Sequence, residues 1–194
     1  VMFTENGIPG TRTRNIRWVE RLALPTTITF LFFDLLPNTW GTPLLASLLA
    51  FLAALIHAIR LSGWQSHRTL KTPLVWVLHA GYAFLIVALA AKGLANLGLV
   101  PASLALHAFT VATLGPITLG MMSRIGLGHT GRPIRVPGHM AAAFALVIMA
   151  GIVRMAAPLI PSFHAGMILL SGLGWTAAFA LFTVSYFPIL SSPR

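Results

Sequence analysis

Three histidines stand inside long apolar runs of this 194-residue chain, at positions His57, His79 and His107. An ionisable residue inside a membrane-spanning segment is costly to keep there and marks a functional site by default. Neutral imidazole is a good ligand for haem iron and for copper. The alternative is that each ring hydrogen-bonds to a neighbouring helix and stabilises packing. Together the three histidines favour a metal-ligand role for at least one of them, and His129 is a further candidate ligand.

Two residues near these histidines bear on the shape of a site. Tyr82 follows His79 by three positions, so on a helix it is either a hydrogen-bond partner of that ring or an ordinary packing aromatic. Pro116 has no amide donor and frees the carbonyl of Ala112. This predicts a kink after His107 that widens the bundle near its middle, where a cofactor would fit.

Arg154 is the costliest residue of the apolar segments, because a charge within the membrane needs a counter-charge. Asp34 is the only acid predicted at a similar depth, so an Asp34–Arg154 ion pair is one interpretation. A haem propionate is the other, since arginine binds carboxylates through two parallel hydrogen bonds. The sequence leaves both open.

The segment 124–133 is rich in glycine and basic residues and contains Arg124, His129, Gly131 and Arg132. It lacks the spacing of a phosphate-binding loop, and no strand precedes it. We expect a shaped loop at a helix end, or a plain turn between two helices. The chain has no cysteine, which excludes iron–sulfur clusters and disulfides. No catalytic constellation is recognisable, and redox chemistry at a metal centre stays open.

The composition indicates an integral membrane protein. Hydrophobic residues make up 57% of the chain and charged residues only 8%, against about 25% charged in soluble domains. The net charge of +10 suggests nucleic-acid binding at first sight. We exclude nucleic acid as a partner because the bases are scattered between apolar runs and form no stripe with interleaved aromatics. Cationic loops beside a lipid bilayer explain the charge better.

The apolar runs predict an all-α, integral membrane helical bundle. A basic arm covers residues 1–20, and a membrane domain covers residues 21–194. The domain has six transmembrane helices over about 21–36, 42–61, 74–92, 101–123, 138–157 and 164–187. The stretch 124–137 is predicted to be a loop.

Counting bases orients this bundle. With six spans, 11 of the 13 lysines and arginines lie on one side, and only Lys92 and Arg154 lie on the other. The positive-inside rule then predicts that both termini are cytoplasmic. Helix rise places His57 and His79 in a cytoplasmic layer and His107, with Asp34 and Arg154, in an outer layer about 13 Å away. One haem bridging His79 and His107 is therefore harder to build than two separate sites.

Several segments together resemble the NnrS family of bacterial multi-pass membrane proteins. The main one is the run HAFTVATLGPITLGMMSRIGLGHTGRP at 107–133. The others, in order, are MFTENGI at 2–8, HAIRLSGW at 57–64, PLVWVLHAGYAF at 73–84 and YFPILSSPR at 186–194. The resemblance covers nearly the whole chain. Family members are longer, and this chain resembles their C-terminal half, so we expect a missing N-terminal half or another chain as a partner.

The resemblance implies haem and copper as cofactors, a place in the bacterial inner membrane, and a role in the nitric oxide response and protection from nitrosative stress. Nitric oxide or iron–nitrosyl species are then partners. The family pattern matches at a set of named positions: His79, His107, Arg124, His129, Gly131, Arg132 and Arg154. It does not separate haem ligands from copper ligands. Two other classes stay open: a metal-free transporter or structural subunit with a histidine proton relay, and a cytochrome b-like or quinol electron-transfer subunit.

Overall fold

The computed structural model describes residues 2–36 and 42–192. Within these ranges the chain is helical and contains no β-strand. The α-helices are α1 (Met2–Gly7), α2 (Arg17–Leu35), α3 (Thr42–Ser62), α4 (Pro73–Asn96), α5 (Ala102–His107), α6 (Leu114–His129), α7 (Gly138–Ala156) and α8 (His164–Ser191). A π-helical segment, Ala108–Thr113, joins α5 to α6 without a break. The all-helical prediction is confirmed for the described residues.

Five helical stretches of the described chain are long and apolar enough to cross a membrane. They are Thr42–Ser62, Pro73–Asn96, Ala102–His129, Gly138–Leu159 and Pro161–Ser191. The predicted span over about 21–36 falls within α2, which does not meet this standard. The 19 residues of α2 include four charged side chains, Arg17, Glu20, Arg21 and Asp34, and each charge raises the cost of insertion. The structure therefore has five candidate spans where the sequence predicted six.

The helix ends differ from prediction at several places. α6 continues to His129, so residues 124–129 of the predicted loop are helical. Gly126 lies within this helix and packs against the ring of Tyr186, whose Cδ1 would lie 3.1 Å from an added Cβ. α2 begins at Arg17, inside the predicted arm. The predicted membrane domain also includes residues 37–41 and 193–194, which lie outside the described residues.

Small residues let the helices approach closely around α4. Ala50 and Ala53 of α3 are fully buried in a cluster with Leu89 of α4. On the other side, a Cβ on Gly81 would lie 2.6 Å from the side chain of Ile117. Close contacts of small residues are the usual way membrane helices associate. α4 therefore stands between α2 and α3 on one side and α6, α7 and α8 on the other, and it carries His79 and Tyr82 into the interior.

Candidate functional site

A chain of hydrogen bonds connects α2, α3 and α4 and includes both ring nitrogens of His57. We call it the arginine network; its members are Glu20, Thr27, His57, Arg60 and Tyr82. Arg60 donates through Nε and Nη2 to the Glu20 carboxylate over 2.7 to 3.0 Å. Its Nη1 donates to the Tyr82 hydroxyl at 3.1 Å. The two nitrogens of the His57 ring lie 2.5 Å from the Tyr82 hydroxyl and 2.9 Å from Thr27 Oγ1.

These bonds assign the tautomer of His57. The Thr27 hydroxyl donates to the carbonyl of Ala23 at 2.8 Å, so its oxygen accepts the proton of His57 Nε2. His57 Nδ1 then accepts the Tyr82 hydroxyl proton. Both nitrogens of this buried ring are engaged, which is the satisfied state expected of a buried polar group. A metal would have to displace Tyr82 or Thr27 to reach His57.

His79 is held by a second pair of hydroxyls. Its Nε2 lies 3.0 Å from Thr4 Oγ1, and its Nδ1 lies 2.9 Å from Ser66 Oγ. Thr4 belongs to α1 and is fully buried, so the N-terminal segment closes over this ring. The suggested hydrogen bond from Tyr82 to His79 is wrong. Since Thr4 and Ser66 already occupy both nitrogens of His79, the Tyr82 hydroxyl turns to His57 instead.

Trp64 connects the two histidines. Its ring centroid lies 4.4 Å from that of Tyr82 and 5.3 Å from that of His79. The Arg60 guanidinium lies 5.4 Å from the Trp64 ring centroid, within the range of a cation–π contact. The structure therefore brings His57 and His79 into one layer, as the depth estimate predicted, but through two aromatic rings rather than a shared ligand position.

Removing the arginine at the centre of this network tests its contribution to stability. Arg60→Met leaves the Glu20 carboxylate without its cation and Tyr82 without its donor. The side chains of Arg60 and Glu20 remain 28% and 29% exposed. We therefore expect the free energy of unfolding to fall by about 2 kcal/mol, which is less than the cost of breaking a fully buried ion pair. The midpoint of thermal unfolding in detergent measures this change. Arg68→Met, on an exposed loop residue, is the matched control, and equal midpoints would contradict the prediction.

On the other side of the bundle, Asp34 does not pair with Arg154. Asp34 Oδ1 forms an ion pair with Lys92 Nζ at 2.8 Å and accepts a hydrogen bond from Asn96 Nδ2, also at 2.8 Å. The predicted Asp34–Arg154 pair is therefore wrong. The physical reason is helix adjacency: α2 packs on α3 and α3 on α4, whereas α7, which carries Arg154, packs on α8 and the π-helical segment.

His107 and Arg154 do lie together. His107 ends α5, Arg154 lies in the last turn of α7, and these helices pack against each other. Arg154 and His164 are both close enough to His107 to interact with it electrostatically. His107 Nδ1 and Arg154 Nε are buried and have no hydrogen-bond partner among the described residues. We call His107, Arg154 and His164 the outer basic cluster.

A close helix contact sets the position of this cluster. A Cβ on Gly151 would lie 2.7 Å from the Cα of Ala112, so only glycine lets α7 approach the π-helical segment this far. Within that segment, the Thr113 hydroxyl donates to the carbonyl of Ala108 at 2.8 Å. Such segments occur frequently at functional sites. The π-helical segment therefore lies between His107 and Pro116, in the stretch where the sequence predicted a kink.

The glycine-rich segment forms a helix end beside a cavity. Gly131 has φ +64°, a conformation that glycine adopts at little cost and that commonly ends helices. The amide of Arg132 donates to the carbonyl of Leu127 at 3.0 Å and completes the cap. His129 is exposed and, with Arg124, lines a cavity of about 340 Å³.

The four candidate metal ligands do not meet at one point. No group of three or more histidine, cysteine, aspartate or glutamate side chains able to hold a metal occurs within residues 2–36 and 42–192. His57 and His79 are hydrogen-bonded at both nitrogens, whereas His107 makes no hydrogen bond to a described residue. Haem iron needs only one or two axial ligands, so the lack of a larger ligand group among the described residues bears on a copper site more than on a haem site.

Several residues that surround His57 and His79 were not predicted as site residues. They are Thr4, Glu20, Thr27, Arg60, Trp64 and Ser66. A usable signal existed for two of them. Glu20 and Arg60 lie near the ends of consecutive helices at the same predicted side of the membrane, where opposite charges are expected to pair. The hydroxyl partners carry no comparable signal, since serine and threonine in membrane helices mostly bond to their own backbone.

A family model described as NnrS protein matches the whole of this chain, residues 1–194. No curated protein and no solved structure gives a significant match.

Proposed function

Because the chain belongs to the NnrS family, we propose that it is a multi-pass protein of the bacterial inner membrane that binds haem and acts in the nitric oxide response. Protection from nitrosative stress is the physiological role we assign to it. Family membership and the five apolar helices support the membrane and nitric oxide parts of this proposal. The haem part rests on the chemistry of His107.

His107 is the histidine of the membrane helices best able to ligate iron. Its Nδ1 is buried and has no hydrogen-bond partner among the described residues. A ligating histidine needs one nitrogen with a free lone pair, while the other nitrogen donates its proton to an orienting group. His57 and His79 do not meet this condition without losing a hydroxyl contact. When bound, haem iron would supply a position that coordinates nitric oxide. His107 would hold such a group, and the Gly151 contact keeps α7 close to the π-helical segment that follows His107.

Copper is the less well supported cofactor. Copper sites commonly use several nitrogen or sulfur ligands, and the described residues bring no such group together. If the family's copper is bound in this protein, its remaining ligands come from another segment or another chain. This agrees with the resemblance to the C-terminal half of longer family members.

We further propose that α2 is a sixth span and that both termini are cytoplasmic. Two ion pairs support this. Glu20 of α2 pairs with Arg60, and Asp34 of α2 pairs with Lys92. Pairing lowers the cost of carrying charge into a membrane, so α2 fits beside α3 despite its composition. Six spans retain the strong asymmetry of basic residues.

The arginine network supports a second candidate function, proton relay without metal. A continuous chain of hydrogen bonds leads from the Glu20 carboxylate through Arg60 and Tyr82 to His57. The Arg60 guanidinium stays protonated and passes no proton itself, so the relay is limited to the Tyr82–His57 hydrogen bond, which Arg60 and Glu20 hold in place. It requires no cofactor, so the presence or absence of haem separates the two candidates.

The test is an absorption spectrum of protein purified from cells supplied with haem. A Soret band that shifts when nitric oxide is added supports the proposal. Expression of this chain beside a version joined to the family's N-terminal half shows whether haem binding needs both. A colourless preparation from both versions would refute the haem assignment and favour the relay.

A further inference from the structure

All three side-chain acids of the chain are engaged away from Arg154. Glu20 pairs with Arg60, and Asp34 pairs with Lys92. The third acid is Glu5, whose Oε1 accepts the amide of Thr13 at 2.9 Å and also its hydroxyl proton. Those hydrogen bonds from Thr13 hold the pKa of the Glu5 carboxyl below its ordinary value. The sequence contains no fourth acid, so no side-chain carboxylate of this chain is left for Arg154.

Arg154 nevertheless lies within a candidate membrane span, Gly138–Leu159. Its Nε is enclosed by protein and donates to nothing among the described residues. His107 Nδ1 is enclosed and has no partner among the described residues either, and Arg154 acts electrostatically on His107. Two buried polar groups without partners, on helices that pack against each other, are uncommon in folded proteins and call for a ligand.

The side chains of the outer basic cluster determine whether that ligand is an anion or a cation. Its members offer hydrogen-bond donors and positive charge but no acid, so a cation is repelled. His164 is fixed beside the other two, since its Nδ1 lies 3.0 Å from the carbonyl of Ala157. An oxyanion would accept from Arg154 Nε–H and from His107 Nδ1–H together, and charge-assisted bonds of this kind are the strong ones.

We propose that Arg154 and His107 form an anion-binding site at the end of α7, which takes a carboxylate or another singly charged oxyanion. Arg154 supplies the positive charge of this site, and His164 lies near enough to His107 to act on it electrostatically. The site stands without haem, because it uses only side chains and Nδ1. Where His107 Nε2 also holds iron, as in the proposed function, the anion becomes the group that orients the ligating ring.

The test uses the full chain in detergent without haem, with sodium acetate and sodium nitrate as probes at constant ionic strength. We expect a saturable rise in the thermal midpoint with either probe. Arg154→Met should weaken binding by roughly 10- to 100-fold, as expected for the loss of a charge-assisted hydrogen bond. Arg154→Lys, which keeps the charge but loses Nε, should fall between Arg154→Met and the natural protein.

The matched control is Lys92→Gln. It removes the other cation predicted on this side while keeping a donor for Asp34, and it should leave acetate affinity unchanged. His107→Asn serves as the second variant should Arg154→Met fold poorly, and it should also weaken binding. Equal affinity in Arg154→Met and the natural protein, or no saturable effect in the natural protein, overturns the proposal.

Two further arms identify the source of the anion and keep this proposal separate from the haem assignment. In nanodiscs, competition between phosphatidylglycerol and acetate would identify a lipid phosphate as the occupant, and undiminished acetate binding would identify a soluble anion. A protein that binds acetate through Arg154 but takes up no haem refutes the proposed function alone. A protein that takes up haem but shows no Arg154-dependent anion binding refutes this inference alone.

Discussion

Replacing His107 by alanine is expected to remove most of the Soret absorbance of protein purified from haem-supplied cells. His107 makes no hydrogen bond to a described residue, so its loss removes the readiest iron ligand and leaves the hydrogen bonds among those residues intact. His79→Ala should retain the band, because the ring of His79 is already bonded to Thr4 and Ser66. The measurement is the ratio of Soret absorbance to protein absorbance in matched purifications.

The test depends on comparing haem content and thermal midpoint between the two variants. His79→Ala disrupts two hydrogen bonds and is expected to lower the thermal midpoint, whereas His107→Ala disrupts none. The pair therefore separates stability from cofactor binding. If His107→Ala kept its haem and His79→Ala lost it at an unchanged midpoint, the haem would belong to the layer of the arginine network.

Replacing Gly151 by alanine is expected to have the largest effect on the fold for the smallest chemical change. An added Cβ would lie 2.7 Å from the Cα and 2.9 Å from the Cβ of Ala112. The obstacle is backbone, which cannot rotate aside, so α7 must move away from the π-helical segment. Overpacking of this kind costs about 1 to 3 kcal/mol, although glycine to alanine in a helix ordinarily stabilises by up to about 1 kcal/mol. We expect a lower thermal midpoint.

The same change should weaken both activities assigned to the outer basic cluster, because Arg154 lies one turn beyond Gly151. Gly172→Ala is the matched control: this glycine also lies within a helix, and nothing lies within 4 Å of an added Cβ. It should hold or raise the midpoint. A similar loss in both variants would show that helix flexibility, rather than the contact with Ala112, explains the effect.

The helices themselves were predictable from hydropathy. Apolar runs of spanning length are hard to mistake, and the five apolar helices lie over five of the six predicted spans. α2 was harder, because its apolar stretch is short and its charges look like those of a surface helix. Depth along each helix was also informative, and it correctly placed His57 near His79.

The partners of the polar residues were not predictable, because depth does not give direction around the helix axis. The sequence predicts similar depths for Asp34 and Arg154, yet Asp34 of α2 pairs with Lys92 of α4. Choosing between Lys92 and Arg154 as its partner requires knowing which helices touch. The same limitation applies to Tyr82, whose spacing from His79 suggested one partner while the helix packing provided another.

The N-terminal segment shows a second limitation. A polar stretch with turn-forming residues predicts a loop or an interfacial arm, and nothing in its composition indicates burial. The structure instead inserts Thr4 between helices, fully buried against His79. Tertiary context decided this contact, since a single threonine hydroxyl gives no pattern that a sequence can reveal.

The two ion pairs of α2 have a consequence for how this protein enters the membrane. Glu20 and Asp34 stand near opposite ends of the helix, and their cations, Arg60 and Lys92, belong to α3 and α4. α2 is synthesised before the helices that carry these cations. If α2 is the sixth span proposed above, the ion pairs that lower the cost of its charges form only once α3 and α4 are present. We therefore expect α2 to enter the membrane together with α3 and α4 rather than alone.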